Sequence, residues 1–170
     1  MEIDTSKTYL VTIDTSAGTL KGRLFPGEAP KTSNNFVSLS RKGYYDGLLI
    51  HRVVKGFVLQ TGDPTGTGSG GPGYRFDDEP IPDHLNYVKG TLAMANSGPN
   101  TNGSQFFVVL DNLTNRLPKN YTIFGIIEEG FGVLDEIGAT PTSMQPGGGE
   151  ASRPVVDLIM QKVSIQELDE

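Results

Sequence analysis

Eight short segments of this chain carry mostly Val, Ile, Leu, Thr, Tyr and Phe, and Gly, Pro, Asn and Asp close them off. They run Thr8–Thr15, Gly18–Phe25, Leu49–Val54, Phe57–Gly62, Gly90–Ala95, Gln105–Leu110, Thr122–Ile127 and Val155–Ser164. β-Branched and aromatic residues suit a pleated, half-buried surface, so each segment is predicted to be a strand. Strands this numerous in 170 residues leave a barrel or a sandwich as the fold classes. Ser16-Ala17 ahead of Gly18 predicts a tight hairpin between the first two. Two helices interrupt the series. The first follows Pro30, carries Phe36, Val37 and Leu39 inward and stops at Gly43; the second covers Phe131–Ile137, with Gly138 after it.

Two of the strand-like stretches contain polar residues that an ordinary wall would not. Arg52 and Gln60 lie in Ile50–Asp63, and Gln105 lies in Met94–Phe107. A polar group inside an apolar run costs free energy unless it is paired or employed. A three-residue connection Val54-Lys55-Gly56, with Gly56 as the left-handed residue, would make the first stretch a hairpin. It would set Val53 opposite Phe57, Arg52 opposite Val58, and Ile50 opposite Gln60. Alternation then puts Arg52, Val58 and Gln60 on one face, and His51, Val53 and Leu59 on the other, which reads as core. Gln105 and Phe107 likewise oppose Phe106 and Val108. A two-residue turn would instead separate Arg52 from Gln60. An arginine whose stem packs while its head reaches water is the plain alternative for Arg52.

Composition narrows the function. At this length, with 36% hydrophobic residues, the chain 1–170 is expected to be one domain; about 70% of the unfolded surface can be buried. No cysteine is present, which excludes disulfides and thiolate chemistry and fits a reducing compartment. The first residues lack the basic and apolar regions of a signal peptide, and no apolar run reaches the ~18 residues that span a membrane. The expectation is a cytoplasmic monomer with no membrane contact. A net charge of −6 disfavours nucleic acid, whose phosphates call for clustered Lys and Arg.

Several motifs are weaker than they look. Gly66-Thr67-Gly68-Ser69-Gly70-Gly71 matches GxGxxG, but Pro72-Gly73 follows and no helix is predicted to offer its N-terminus to a phosphate. His51 and His84 are the only histidines, too few for the usual metal set, and His51 is expected to be a neutral, hydrogen-bonded core residue. Asp77-Asp78-Glu79 lacks a calcium-loop pattern and reads as solvated loop. No Ser sits in a GxSxG elbow. The long connections are Pro64–Pro82, Ser97–Ser104 and Thr140–Pro154; the first two flank the polar face, and the third reads as a plain surface excursion.

At Pro30–Tyr45, at both polar stretches and at Phe124-Gly125 the chain resembles the cyclophilins, the peptidyl-prolyl cis/trans isomerases. The resemblance spans nearly the whole sequence. It implies a mainly β fold, a closed eight-stranded antiparallel β-barrel capped at each end by a helix. It also implies rotation about Xaa-Pro bonds in peptides and folding proteins, with no cofactor and no metal. The catalytic set would be Arg52, Gln60 and Phe57. Phe57, Val58, Phe107 and Leu117 would wall the proline slot. Asn96 would hold the residue before proline through its main chain, with Ala95, Ser97 and Gln105 lining that subsite. Tyr121 stands where many members have His, as in some bacterial members, and Val58 where Met is commoner. Arg116 replaces the Trp that supports tight cyclosporin binding in the family, which implies reduced affinity for such ligands. A non-catalytic proline-peptide module and a chaperone-like holdase are the alternative functions.

Overall fold

In chain order the elements are β1 (Thr8–Thr15), β2 (Gly18–Leu24), α1 (Pro30–Arg41), β3 (Leu48–Leu49), β4 (Arg52–Val54), β5 (Val58–Thr61) and β6 (Thr91–Met94). They continue with β7 (Phe106–Val109), β8 (Ile123–Glu129), α2 (Phe131–Gly138), β9 (Thr142–Met144), β10 (Ala151–Pro154) and β11 (Ile159–Leu168). The structure is a computed structural model that describes residues 1–169. Thr15 pairs with Gly18 across the two-residue turn Ser16-Ala17, as the sequence predicts.

Nine strands form one antiparallel sheet in the order β3-β11-β1-β2-β8-β6-β7-β5-β4. Its two outer members, β3 and β4, are separated in the chain by only Ile50 and His51. The sheet must therefore curl strongly until its edges meet. The expected closed eight-stranded ladder is corrected in this respect: the curled sheet has nine strands, and its backbone ladder stops at that seam. Ile50 N–H still donates to Leu158 O at 2.9 Å, whereas Arg52 is already paired with Gln60. The predicted strand Leu49–Val54 is split because it changes partner there. Thr61 Oγ1 of β5 donates to Leu49 O of β3 at 2.9 Å and bridges the break.

Alternation along the strands divides the apolar residues into two clusters. Inside the curl, Val53, Leu59, Leu92, Met94, Phe106 and Val108 join Phe36 and Val37 of α1 and Leu134 and Ile137 of α2. Phe36 meets the rings of Tyr45, Phe106 and Phe124 at centroid distances of 5.2, 5.3 and 5.1 Å. Outside, Val58, Ala93, Phe107, Val109 and Ile123 form a second cluster beneath Tyr87 and Leu113. β6 and β7 are thus buried on both faces, which explains their unbroken apolar runs.

Two further expectations are corrected. The last strand starts at Ile159 rather than Val155, and Val155 and Val156 lie exposed before it. Thr140–Pro154 is no plain excursion, because it folds into the hairpin β9–β10, with Met144 opposite Ala151 and Thr142 opposite Pro154.

Candidate active site

The hairpin β4–β5 pairs Arg52 with Gln60, Val53 with Leu59, and Val54 with Val58. The turn is thus Lys55-Gly56-Phe57, one residue later than predicted, and Gly56 adopts φ +70°. The predicted pairs slip by two positions, which leaves every side chain on its predicted face. Register then continues outward: Gln60 is opposite Phe107, and Phe107 opposite Ala93. Arg52, Gln60, Phe107 and Ala93 form one row across β4, β5, β7 and β6 on the outer face of the curl.

A cavity of about 300 Å³ opens over this row, lined by Arg52, Phe57, Val58, Gln60, Ala95, Asn96, Phe107, Leu117 and Tyr121. Ser97 and Gln105, the other residues predicted for the site, line an adjoining cavity of about 810 Å³ together with Gln60, Ala95, Asn96 and the segment Gly68–Arg75. Tyr121 stands edge-on to Phe107 at 5.5 Å and 83°. Val58 and Phe107 are buried, while Phe57, Leu117 and Tyr121 are partly open. Apolar and aromatic side chains make up most of the lining of the smaller cavity, glycines and small polar residues most of the larger.

The polar groups are tightly organised. Arg52 Nη1 donates to Gln60 Oε1 at 3.2 Å, Gln60 Nε2 to Gln105 Oε1 at 3.0 Å, and Gln105 Nε2 to Gly68 O and Gly70 O at 2.9 and 3.0 Å. The guanidinium carbon of Arg52 lies 6.0 Å from the centroid of Phe57, within cation–π range. Among the described residues, the main chain of Asn96 makes no backbone hydrogen bond, while its Nδ2 donates to Asn120 O at 2.9 Å. An open N–H and C=O beside the slot can pair with an extended peptide.

The glycine-rich segment Gly66–Gly71 starts no helix. Asp63 gathers it instead, accepting from the N–H groups of Thr65, Thr67 and Gly68 at 2.8, 3.1 and 2.6 Å. A Cβ on Gly70 would come within 2.0 Å of Asp63 Oδ1, so glycine is required there. Burial works to raise the pKa of Asp63, but the hydrogen bonds from Thr65 and the loop amides overcome it and hold the value down to about 2. Asp77-Asp78-Glu79 is likewise more than solvated loop. Asp78 accepts from Asn102 Nδ2 at 2.8 Å, and Glu79 accepts from the N–H groups of Lys31 and Thr32 at the start of α1.

His51 is buried, as expected, and burial lowers its pKa below the usual imidazole value. Its Nδ1 lacks the expected hydrogen-bond partner among the described residues. Two residues that hold members of this cluster in place escaped the sequence reading. Glu150, at the end of the β9–β10 turn, accepts from Arg52 Nε and Nη2 at 2.8 and 3.1 Å. The hydrogen bonds from Arg52, and then from Ser152, hold its carboxyl down to about 2. Tyr87 is the second. Its hydroxyl donates to Tyr121 O at 2.6 Å and accepts from Tyr121 N–H at 3.1 Å, while its carbonyl accepts from Leu113 N–H at 2.8 Å. It therefore clips both ends of the segment that carries Leu117, and burial pushes its pKa up to about 12. Neither residue carries a motif; each is joined to the site only by the fold.

A family model described as cyclophilin type peptidyl-prolyl cis-trans isomerase matches residues 10–165. The chain belongs to the cyclophilins. It is accordingly a peptidyl-prolyl cis/trans isomerase. Among curated cyclophilins it is 45% identical over 159 residues to the peptidyl-prolyl cis-trans isomerase CYP18-1 of Arabidopsis thaliana, covering 91% of this chain and 94% of that protein. It is 46% identical over 151 residues to the human peptidyl-prolyl cis-trans isomerase-like 1, covering 87% of each. A solved cyclophilin-type isomerase of Cryptosporidium parvum superposes with a TM-score of 0.84 at 40% identity, covering 94% of this chain and 98% of that one. The same parasite enzyme was also solved in the presence of the dipeptide Ala-Pro, with a TM-score of 0.83 to this chain. Proline-containing peptides are what this family binds. Among the described residues, no helix is long and apolar enough to cross a membrane.

Proposed function

We propose that isomerisation takes place in the small cavity beside Arg52, with the guanidinium as the group that stabilises the rotating bond. The uncatalysed barrier of about 20 kcal/mol is amide resonance. When the Xaa-Pro bond twists by about a right angle, the nitrogen lone pair localises and becomes a hydrogen-bond acceptor. A donor aimed at that nitrogen binds the twisted state more tightly than either planar state, which is what lowers a barrier. A guanidinium suits this because it is a rigid fork of donors that keeps its charge at any working pH.

The observation that carries this reading is the company Arg52 keeps. It shares one cavity with Phe57, Val58, Phe107, Leu117 and Tyr121, whose side chains can exclude water from a pyrrolidine ring. Burying the three ring methylenes contributes only about 2.4 kcal/mol, at roughly 0.8 each, so binding is weak and exchange fast. Gln60 orients Arg52, and the main chain of Asn96 pairs with the residue before proline. Ala95, Ser97 and Gln105 border that residue's side chain. Bond rotation calls for no nucleophile, titrating base, metal or cofactor.

The clients on this reading are exposed prolines of peptides and of unfolded or folding proteins. The chain acts as one monomeric domain over 1–170, without nucleic acid or membrane, and the lack of cysteine suits a cytoplasmic setting. Cyclosporin-type ligands bind with reduced affinity because Arg116 replaces the Trp that supports tight binding of such ligands in the family. The test is a protease-coupled assay on a Xaa-Pro peptide. Arg52→Ala should lose about 10²–10³ in kcat/KM, by analogy with removing one preorganised oxyanion donor. A variant as fast as wild type would place the chemistry elsewhere. Protection of an aggregating client that survives Arg52→Ala would mark a separate holding activity.

A further inference from the structure

Glu150 lies 98 residues from Arg52 in the chain. Even so, its carboxylate meets the guanidinium side-on through Nε and Nη2, the two-point geometry in which a planar fork matches two oxygens. The contact is delivered by a built element rather than by a wandering side chain. Gln145 N–H donates to Glu150 O at 3.1 Å across the β9–β10 turn. Gln145 Nε2 donates to His51 O, the carbonyl that precedes Arg52, at 2.9 Å, and to Ser152 Oγ at 3.0 Å. Arg153 Nη1 donates to Gly66 O at 2.5 Å, which ties β10 to the glycine loop. The hairpin is thus fastened on both sides of the site it reaches into.

Counting donors shows what the contact leaves. A guanidinium carries five N–H groups. Glu150 takes the one on Nε and one on Nη2, and Gln60 takes one on Nη1. One N–H remains on each terminal nitrogen. The Glu150 and Arg52 side chains are 47% and 29% exposed, so the pair adds little to stability. Its effect is geometric: an arginine stem has many rotamers, and two anchors at different edges leave the guanidinium plane a single setting.

We propose that Glu150 is a positioning residue for the isomerisation, holding the guanidinium of Arg52 so that its two remaining N–H groups face the proline slot. This rests on the reading of Arg52 as the donor to the twisted nitrogen. The opposite reading of the same contact is a latch that occupies Arg52 and slows the enzyme. The two predict opposite signs.

The experiment measures kcat and KM for one Xaa-Pro peptide with wild type, Glu150→Gln, Glu150→Ala, Arg52→Ala and the double variant, with melting curves for each. Glu150→Ala should lower kcat by about tenfold with KM nearly unchanged, the size expected for a donor misplaced by a fraction of an ångström. Glu150→Gln, which keeps one acceptor oxygen, should fall between. Added formate should restore part of the Glu150→Ala rate where chloride at equal ionic strength does not, a response that a merely structural role would not give. The double variant should be no slower than Arg52→Ala. Glu150→Ala at the wild-type rate, or faster, would overturn the proposal, the faster outcome marking a latch. Wild type no faster than Arg52→Ala would overturn the role of Arg52 itself, and that of Glu150 with it.

Discussion

Gln60 donates to Gln105 at 3.0 Å in the middle of a hydrogen-bond chain that can run in only one direction. At one end Arg52 donates to Gln60; at the other Gln105 donates to the carbonyls of Gly68 and Gly70. A guanidinium has donors only and a backbone carbonyl has acceptors only, so both amides are forced into one orientation. This hydrogen-bond chain joins the small cavity at Arg52 to the glycine loop that Asp63 organises.

Removing the central link should therefore be costly. Gln60→Ala is expected to lower kcat/KM by about tenfold, the scale of one hydrogen bond to a charged group. Gln105→Ala should cost less, because it reaches Arg52 only through Gln60. The protease-coupled assay ranks the two, and a Gln60→Ala enzyme at wild-type rate would contradict the coupling.

Charge alone should not replace the fork. Arg52→Lys keeps a cation, but a single ammonium cannot face Glu150, Gln60 and a twisted imide together. Its kcat/KM should stay below about one-tenth of wild type, with the melting temperature little changed. Recovery to near the wild-type rate would show that a point charge suffices.

His51 should make stability depend on pH. Burial lowers its pKa, so between the folded value and the usual value of 6.5 the unfolded chain binds more protons than the folded one. The contribution is fully present above 6.5 and is lost as pH falls through that value toward the folded one. Asp63 and Glu150, both held to about 2, lose theirs only below the ordinary carboxylate range. Calorimetry should show a lower melting temperature at pH 5.5 than at pH 7.5. His51→Gln should flatten that difference whatever it does to the absolute value; an unchanged slope would assign the effect to other groups.

Drug sensitivity should be recoverable at one position. Arg116 lines a cavity of about 280 Å³ with Asn86, Tyr87, Thr114 and Leu117, which shares only Leu117 with the cavity at Arg52. An indole offers an apolar wall of about 150–250 Å² where a guanidinium prefers water. Arg116→Trp is expected to tighten inhibition by cyclosporin by about tenfold while leaving turnover of a short peptide as it is. No gain in inhibition would trace any reduced affinity to Tyr121 or Val58 instead.

Much of the site could be read from alternation. The hairpin register predicted for Arg52 is off by two residues, yet Arg52, Val58 and Gln60 share a face in both registers because a slip of two preserves parity. Val58 and Phe107 could be placed on that face for the same reason, since they sit at outward positions of β5 and β7; Phe57, Leu117 and Tyr121 came only from the family resemblance. Glu150 and Tyr87 were not legible. Glu150 follows three glycines in a stretch with no periodicity, and Tyr87 precedes β6 in a segment without strand pattern. The number of strands in the main sheet was misjudged at Ile50-His51, where one continuous strand-like stretch hides a change of partner.

Side-chain chemistry and local spacing, present in the chain before it folds, determined where both helices and most of the strands form, which strand residues share a face, and that a donor-rich side chain stands among apolar neighbours. Only the tertiary structure decided that the sheet would curl until β3 and β4 meet, and that the β9–β10 hairpin would bring a carboxylate to Arg52. The physical reason is the range of the interactions. Periodicity and turn preference act over a few residues, whereas the seam and the Arg52–Glu150 pair depend on where distant segments lie once the core has packed.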